Sequence, residues 1–222
     1  MIISDYEKFV FIHNPKVGGM TFRTALAKYD TRDNFFFEWK AIEGTEDFLD
    51  MAHITIFQLY KFYPQIADEI DSYFRFGFVR NPYYRFLSAV SQHLKLGDGR
   101  SRSVIMANPD LFYGVASGLA EAVLFPQVVE SDFKLVHFRR QSNYFWHRRK
   151  RWIGAVMKLE ELNLSAPDNV RHWLGNSFDT SLNRTEQIES YNLDRLSKAA
   201  MRSISDFYAP DFDRFDYPRW LG

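Results

Sequence analysis

Hydrophobic and polar positions along the chain follow a pattern that predicts strands followed by helices. The apolar run Lys8–His13 ends at Pro15 and two glycines, and helical spacing of apolar residues resumes over Met20–Lys28. Tyr73–Val79 is a second apolar strand, which an Arg-Asn-Pro sequence ends before helical spacing returns. Each strand and its helix form the pattern of a parallel βα unit.

Further elements follow along the rest of the chain. In chain order, the patterns predict a short helix or strand-to-helix passage at Ile54–Tyr63, a loop at Gly97–Arg102, a helix within Asn108–Val123 and a buried strand that opens Trp152–Leu162. The next predicted helix has Ser165 as its N-cap, Pro167 in its first turn and Gly175 at its end. The last predicted helix is Asn192–Tyr208. No internal repeat or linker interrupts this order. Strands separated by helices predict one α/β domain over residues 1–222, a three-layer sandwich with a mostly parallel central sheet.

Composition limits the classes of function. The 222 residues hold 28 Lys and Arg against 28 Asp and Glu, so any site for an anion must be local rather than an effect of net charge. Cysteine is absent, which excludes disulfides, thiolate metal sites and cysteine nucleophiles and fits a reducing compartment. No apolar run approaches the roughly 18 residues of a membrane span, and the acidic start is unlike a signal peptide, so we expect a cytoplasmic protein without a transmembrane segment.

The sequence NPKVGGMT after the first strand has the composition of an anion-binding loop. Adjacent glycines let backbone N–H groups turn toward an anion, and the following helix adds its positive amino end. Lys16 contributes a charge and Thr21 a hydroxyl. The lysine precedes the glycines, whereas in the Walker A loop it follows them. The spacing therefore argues against an ATP-type P-loop, and an ordinary structural turn stays open as an alternative.

A second polar cluster, RNPYYRFLS, follows the second strand. It places Arg80 at the strand end and Arg85 and Ser88 on one face of the next helix. Guanidinium and hydroxyl groups suit a phosphate dianion, although surface salt bridges and helix packing would use the same residue types. Because ligands bind at the carboxyl ends of parallel strands, both loops are expected to line one cleft.

Together the two loops resemble the nucleotide signatures of the sulfotransferases, in particular the Golgi carbohydrate sulfotransferases and their bacterial relatives. FIHNPKVGG resembles the 5′-phosphosulfate loop of that family and FVRNPYYRFLSAV its 3′-phosphate motif, in the same order. Looser similarities cover nearly the whole chain. The family often has threonine at the positions of Val17 and Met20, so this chain keeps only the hydroxyl of Thr21.

The resemblance implies a P-loop-like phosphosulfate-binding loop, 3′-phosphoadenosine 5′-phosphosulfate (PAPS) as sulfuryl donor, and no metal. It implies that Lys16 contacts the bridging oxygen between phosphate and sulfate, where negative charge grows as the S–O bond breaks. Backbone amides of residues 18–21 would cradle the 5′-phosphate, while Arg80 and Ser88 would hold the 3′-phosphate. The donor-binding residues implied in this way are Pro15, Lys16, Val17, Gly18, Gly19, Met20, Thr21, Arg80 and Ser88.

Sulfuryl transfer also needs a base for the proton of the acceptor hydroxyl, and histidine suits that role near neutral pH. His53, in MAHITIF, lies in a segment that resembles the catalytic histidine segment of glycan 2-O-sulfotransferases, and it is the predicted base. By the same resemblance, His13 shapes the cleft beside the loop. His137 lies near the acceptor and is the alternative base.

Arg148 and Arg149 belong to Trp146–Trp152, the strongest cluster of positive charge in the chain. Such a run can attract an acidic acceptor, for example a glycan with uronate or sulfate groups, and it can equally be a solvated loop. No nucleic-acid motif accompanies it, so we expect no nucleic-acid partner.

The leading hypothesis is a PAPS-dependent sulfotransferase that modifies a hydroxyl of a carbohydrate or glycolipid. One alternative is a P-loop kinase of a small molecule, which would need a lysine within the glycine loop and carboxylates for Mg²⁺. The other is a nucleotide-binding module that has kept the loops without turnover.

Overall fold

The computed structural model describes residues 1–46, 48–96, 99–162, 166–175 and 191–222. The described residues of Met1–Arg80 and Gln141–Glu186 form one compact unit, and those of Asn81–Arg140 and Gln187–Gly222 form another. They are called the first and the second unit below. The expectation of one domain over residues 1–222 stays a prediction.

All strands of the described residues belong to the first unit, whereas the second unit is helical. The strands are β1 (Ile2–Ser4), β2 (Phe9–Ile12), β3 (Trp39–Ala41), β4 (Phe48–Asp50), β5 (Phe74–Val79), β6 (Trp146–His147), β7 (Lys150–Arg151) and β8 (Ala155–Lys158). The α-helices are α1 (Gly19–Leu26), α2 (Ile56–Phe62), α3 (Pro64–Glu69), α4 (Pro82–His93), α5 (Gly99–Ala107), α6 (Pro109–Val123), α7 (Pro126–Ser131), α8 (Asp168–Leu174), α9 (Lys198–Phe207) and α10 (Ala209–Phe215). Short 3-10 helices occupy Ala27–Tyr29, Phe35–Phe37, Met51–His53, Leu94–Leu96, Phe133–Phe138, Gln141–Tyr144, Leu159–Glu161 and Leu193–Arg195.

The central sheet has the strand order β1-β2-β5-β8. Strands β2, β5 and β8 are parallel, with Ile12 opposite Gly77 and Val79 opposite Lys158, and β1 pairs antiparallel with β2. The chain segments that follow the three parallel strands therefore leave the sheet at the same edge. The α/β class and the mostly parallel sheet are confirmed, and the three-layer arrangement stays a prediction.

Aromatic rings fill the core of the first unit. Strand β2 is buried along its whole length, and Phe9 and Phe78 have no exposed surface. Phe22 of α1 stacks on Phe78 with ring centroids 3.9 Å apart, and Trp173 of α8 lies 4.3 Å from Phe9. A strand covered in this way needs a continuous apolar sequence, which explains the run that predicted it.

Helices α4, α6 and α9 supply the core of the second unit. Phe86 of α4, Ala116 of α6 and Ile204 of α9 are fully buried in one hydrophobic cluster. Inside the same unit, the hydroxyls of Tyr83 and Ser205 are 2.7 Å apart and share a buried hydrogen bond. The apolar faces of these helices thus meet in a core in which the Tyr83–Ser205 pair is a hydrogen-bonded polar contact.

Most of the predicted elements are present. The two predicted strand–helix pairs form β2 with α1 and β5 with α4, and the predicted third strand forms β8. Ile54–Tyr63 contains α2, whose start is fixed by a capping box of Thr55 and Gln58. The predicted helix within Asn108–Val123 is α6, and Gly175 ends α8 with a φ of 52°.

Two element boundaries were predicted wrongly. Gly97–Arg102 was expected to be a loop; residues 97 and 98 lie outside the described residues, and α5 begins at Gly99. One glycine disfavours a helix by only about 1 kcal/mol, and longer-range packing can offset that. The carboxy-terminal helix begins at Lys198 rather than Asn192, since Ser197 Oγ accepts the Ala200 N–H at 2.9 Å and caps it there. The segment Leu193–Arg195 is a separate 3-10 turn.

The predicted start of α8 also needs correction. Pro167 stands at the N-cap rather than in the first turn, and the helix begins at Asp168. Ser165, the predicted N-cap, lies outside the described residues.

Gly77 in β5 tests the packing of the first unit. A Cβ atom at this position would lie 2.8 Å from Cε1 of the buried Phe145 and 3.2 Å from the Ile12 carbonyl oxygen. We expect Gly77→Ala to lower the free energy of unfolding in urea by about 1–3 kcal/mol, because the ring and the strand must shift. Gly114→Ala in α6 is the matched control, since a Cβ there meets no atom within 4 Å. Equal effects of the two substitutions would contradict this packing.

Candidate active site

The loop between β2 and α1 has two residues in the left-handed conformation. Lys16 has a φ of 66° and Gly18 a φ of 75°. Glycine adopts this conformation without strain, but lysine does not, so the surrounding structure must hold Lys16 there. Between them, the side chain of Val17 is only 1% exposed and packs in the core of the first unit. Val17 thus anchors the loop to the core, which explains why an apolar residue stands at this position, where the resembled family often has threonine.

Gly19, the first residue of α1, lies directly against the imidazole of His13. A Cβ atom at Gly19 would be 2.1 Å from Nε2 and 2.2 Å from Cδ2 of His13. His13 itself is buried, with 5% of its surface exposed. The second glycine of the loop is therefore required by a close approach to a side chain and not by its backbone angles.

His13 in turn fixes the orientation of His53. Nδ1 of His53 lies 2.9 Å from the carbonyl oxygen of His13, and the two ring centroids are 4.5 Å apart. A carbonyl oxygen can only accept a hydrogen bond, so Nδ1 of His53 carries the proton. In a neutral imidazole with this tautomer, Nε2 holds the lone pair that can accept a proton.

The local sequence around His53 holds its backbone in place. Asp50 accepts a hydrogen bond from the Ala52 N–H at 3.0 Å and caps the 3-10 turn Met51–His53. Two residues after His53, Thr55 caps α2. The side chain of His53 is half-buried, as a group that meets both protein and substrate should be.

A buried amide network joins the ends of β2 and β5. Asn14 Nδ2 donates to the Phe78 carbonyl at 3.0 Å and to Gln141 Oε1 at 3.1 Å. Gln141 Oε1 also accepts the Arg80 N–H at 2.9 Å, and Gln141 Nε2 donates to the Arg80 carbonyl at 2.8 Å. Asn14 and Gln141 have no exposed surface. These bonds hold the start of the lysine loop and the backbone of Arg80 in a fixed register.

The comparisons with known proteins bear on this arrangement. A family model described as the sulfotransferase family matches residues 1–98. Residues 1–98, less than half of the chain, are therefore similar to the sulfotransferases. The match covers the Lys16 loop, His53, Arg80 and Ser88, and it indicates a sulfotransferase enzyme. No curated protein and no solved structure matches the chain.

In this chain the predicted donor loop is continuous with the helix that follows it. Pro15 and Val17 are buried, Lys16 and Thr21 are half-buried, and Gly18 and Met20 are exposed. The Thr21 N–H donates to the Gly18 carbonyl at 3.0 Å, so its backbone is already used in the first turn. The backbone N–H groups at the start of a helix otherwise have no partner within the helix and point outward.

The predicted residues are divided between the two units. Lys16, His13, His53 and Arg80 belong to the first unit, in which Arg80 is only 3% exposed. The first unit also contains the predicted site residues Pro15, Val17, Gly18, Gly19, Met20, Thr21, Arg148 and Arg149.

Ser88 and His137 belong to the second unit, and both are half-buried there. Arg85, which the sequence places on one helix face with Ser88, is fully buried in that unit. Its Nη2 donates to the carbonyl oxygens of His137 and Arg139 at 3.2 and 2.7 Å. Arg85 thus holds the backbone of this 3-10 segment.

Arg148 and Arg149 form the turn of a β-hairpin. They join β6 to β7 and have φ angles of 45° and 67°, and both side chains are exposed. The base of the hairpin rests on α2, because His147 stacks on Tyr60 with ring centroids 4.2 Å apart. Burial, followed by the charge of Arg148, lowers the pKa of His147.

Two absences concern only the part of the chain that the structure describes. Among the described residues, no group of three or more His, Asp or Glu side chains is arranged to hold a metal ion. Likewise, the described helices include none long and apolar enough to cross a membrane.

The contact between Gly19 and His13 can be measured with a double-mutant cycle. We expect Gly19→Ala to destabilise the protein by about 1–3 kcal/mol, because the new methyl group overlaps the buried imidazole. In a His13→Ala background the overlap is gone, so the same substitution should be neutral or slightly stabilising. Urea unfolding of the four proteins gives the coupling free energy. A Gly19→Ala effect of equal size in both backgrounds would rule out the contact.

Proposed function

We propose that this sulfotransferase transfers the sulfuryl group of PAPS to a hydroxyl of a carbohydrate or glycolipid acceptor. The observation that carries the proposal is the geometry of His53, whose Nδ1 is committed to the His13 carbonyl at 2.9 Å. A non-catalytic nucleotide-binding module has no need for a histidine held in the tautomer of a base. The family match supports sulfuryl transfer in general, and the donor and the acceptor are our proposals.

The donor is proposed to bind at the loop between β2 and α1. The outward-facing N–H groups of Gly18, Gly19 and Met20 would donate to the 5′-phosphate, assisted by the positive end of α1. Thr21 would bind the phosphate through its side-chain hydroxyl, because its backbone N–H already donates to the Gly18 carbonyl. Val17 and Pro15, both buried, would serve by holding the loop.

Lys16 is proposed to stabilise the leaving group. Its ammonium would interact with the bridging oxygen between phosphate and sulfate as negative charge develops there. A cation placed where charge develops lowers the barrier without a change in its own position during the reaction. The left-handed backbone of Lys16, which the anchored Val17 maintains, supports such a fixed placement.

Arg80 is proposed to bind the 3′-phosphate, the group that distinguishes PAPS from ATP. Its backbone is held by both polar atoms of the Gln141 side-chain amide, so the guanidinium starts from a fixed point. Guanidinium groups bind phosphate through two parallel hydrogen bonds. Ser88, the second residue that the resemblance gives to this phosphate, stays a prediction.

His53 is proposed to accept the proton of the acceptor hydroxyl through Nε2. The proton then leaves the hydroxyl as its oxygen attacks sulfur, and the Nδ1 hydrogen bond to His13 steadies the imidazolium that forms. His137 as an alternative base and His13 as a residue that shapes the cleft both stay predictions. For His13, the contacts with Gly19 and His53 support a positioning role.

Substitution of His53 tests the proposed function. We expect His53→Ala to lower the rate of sulfate transfer from labelled PAPS by about a hundredfold or more, because general-base catalysis is lost. Binding of 3′,5′-bisphosphoadenosine, measured by calorimetry, should stay nearly unchanged. His172→Ala is the matched control, since His172 is an exposed residue of α8. Full turnover by His53→Ala would remove His53 from the mechanism.

A further inference from the structure

The turn of the β6–β7 hairpin is built from residues that do not favour its conformation. Two-residue hairpin turns with positive φ at both positions prefer Asn-Gly or Asp-Gly, because these residues tolerate the left-handed region. Here both positions are arginine, with φ angles of 45° and 67°. A residue whose type does not favour its backbone conformation, in an exposed turn, indicates that its side chain has a function.

The two arginines carry positive charge that no described residue neutralises. Among the described residues, no carboxylate oxygen lies within ion-pair distance of Arg148 or Arg149, and both side chains are exposed. The neighbouring Lys150 and Arg151 are also exposed. In a chain with equal numbers of acidic and basic residues, this is a local concentration of charge.

The hairpin is attached rigidly to the helix that follows His53. His147 stacks on Tyr60 of α2, and Trp152 Nε1 donates to the Tyr60 hydroxyl at 3.1 Å. On the other side, the guanidinium of Arg75 in β5 lies 4.6 Å from the Trp152 ring. The lowered pKa of His147 keeps this ring neutral for stacking near neutral pH. The turn is therefore presented from a packed base and not from a loose loop.

The helix α2 relates the turn to the proposed base. Tyr60 lies four residues after Ile56, the first residue of α2, which corresponds to about 6 Å along the helix axis. His53 precedes the same helix by three residues. A group bound at the turn and a hydroxyl at His53 would thus belong to neighbouring parts of one extended molecule.

We infer that Arg148 and Arg149 form a binding site for a carboxylate or sulfate group on the carbohydrate acceptor, next to the sugar whose hydroxyl is modified. This inference rests on the proposed function and narrows its acceptor to an anionic glycan chain. An arginine guanidinium can donate two hydrogen bonds to a pair of oxygen atoms of a carboxylate or a sulfate, and the exposed turn leaves the site open to a polymer.

The test separates charge from turn conformation. The variant R148N/R149G replaces both arginines with the residues that the turn favours, so its thermal stability should equal or exceed that of the native protein. The probes are a labelled oligosaccharide of alternating glucuronate and N-acetylglucosamine and an uncharged chitooligosaccharide of the same length. Arg202→Asn, at an exposed position of α9, is the control for loss of a surface charge.

We expect the native protein to bind the uronate probe about tenfold more tightly than the neutral one at low salt, and R148N/R149G to lose that preference. The preference should weaken as salt is raised. Equal binding of both probes by the native protein, or a full preference in R148N/R149G, would overturn the inference. So would a preference for anionic lipid vesicles over the uronate probe, because the site would then serve a membrane surface.

The same samples are titrated with 3′,5′-bisphosphoadenosine. If the nucleotide stabilises the native protein and R148N/R149G equally while the uronate preference is absent, the inference fails and the proposed function stands. If the nucleotide does not bind to the native protein, the proposed function fails, and the anionic-acceptor inference that rests on it is withdrawn. Should R148N/R149G not fold, Arg148→Gln and Arg149→Gln are measured singly, with a partial loss of preference expected from each.

Discussion

The side-chain amide of Gln141 is the contact on which the geometry of the first unit's site depends. It has no exposed surface, and it accepts from Asn14 and from the Arg80 N–H while it donates to the Arg80 carbonyl. A buried polar group that loses its partner costs about 1–3 kcal/mol. Removal of this amide would leave the ends of two adjacent strands unsatisfied at once. The register between the lysine loop and Arg80 is therefore a property of the folded core and not of either loop alone.

A series of short contacts connects the lysine loop to His53. Val17 anchors a loop in which Lys16 and Gly18 take left-handed backbone angles, and α1 then begins at Gly19. Gly19 is small enough to lie against His13, and the His13 carbonyl sets the tautomer of His53. Gly19, a residue of the proposed anion-binding loop, thus also positions His13. In our proposal the same few residues serve donor binding and proton transfer.

The sequence predicted the features that depend on local pattern. The apolar run of β2, the Pro and Gly that end it, and the helical spacing of α1 are all encoded within adjacent residues, and so is the position of Arg80 at the end of β5. Residues that work through distant partners gave no such signal. Gln141 stands 61 residues from Arg80 in the chain, and no local pattern of apolar and polar residues could predict its hydrogen bonds to Arg80.

The elements that were missed or predicted wrongly also depend on contacts between distant residues. Strand β1 is three residues long and exists only through its pairing with β2, so no periodicity could show it. The glycines near residue 99 predicted a loop because their local cost is real, yet α5 starts there. The charged run Trp146–Trp152 contains a hairpin whose base is held by Tyr60, a residue far away in sequence. Tertiary contacts decided each of these cases.

The central claim is that the first unit's loops recognise the nucleotide of a sulfuryl donor, and nucleotide-dependent thermal stabilisation tests it most directly. A ligand at about a hundred times its Kd stabilises the folded state by about 2.7 kcal/mol. We predict a rise in Tm with 3′,5′-bisphosphoadenosine and little change with ADP or with ATP and Mg²⁺, because in our proposal Arg80 binds the 3′-phosphate that the other two nucleotides lack. Equal shifts with all three nucleotides, or a shift with Mg²⁺ and ATP alone, would contradict the claim.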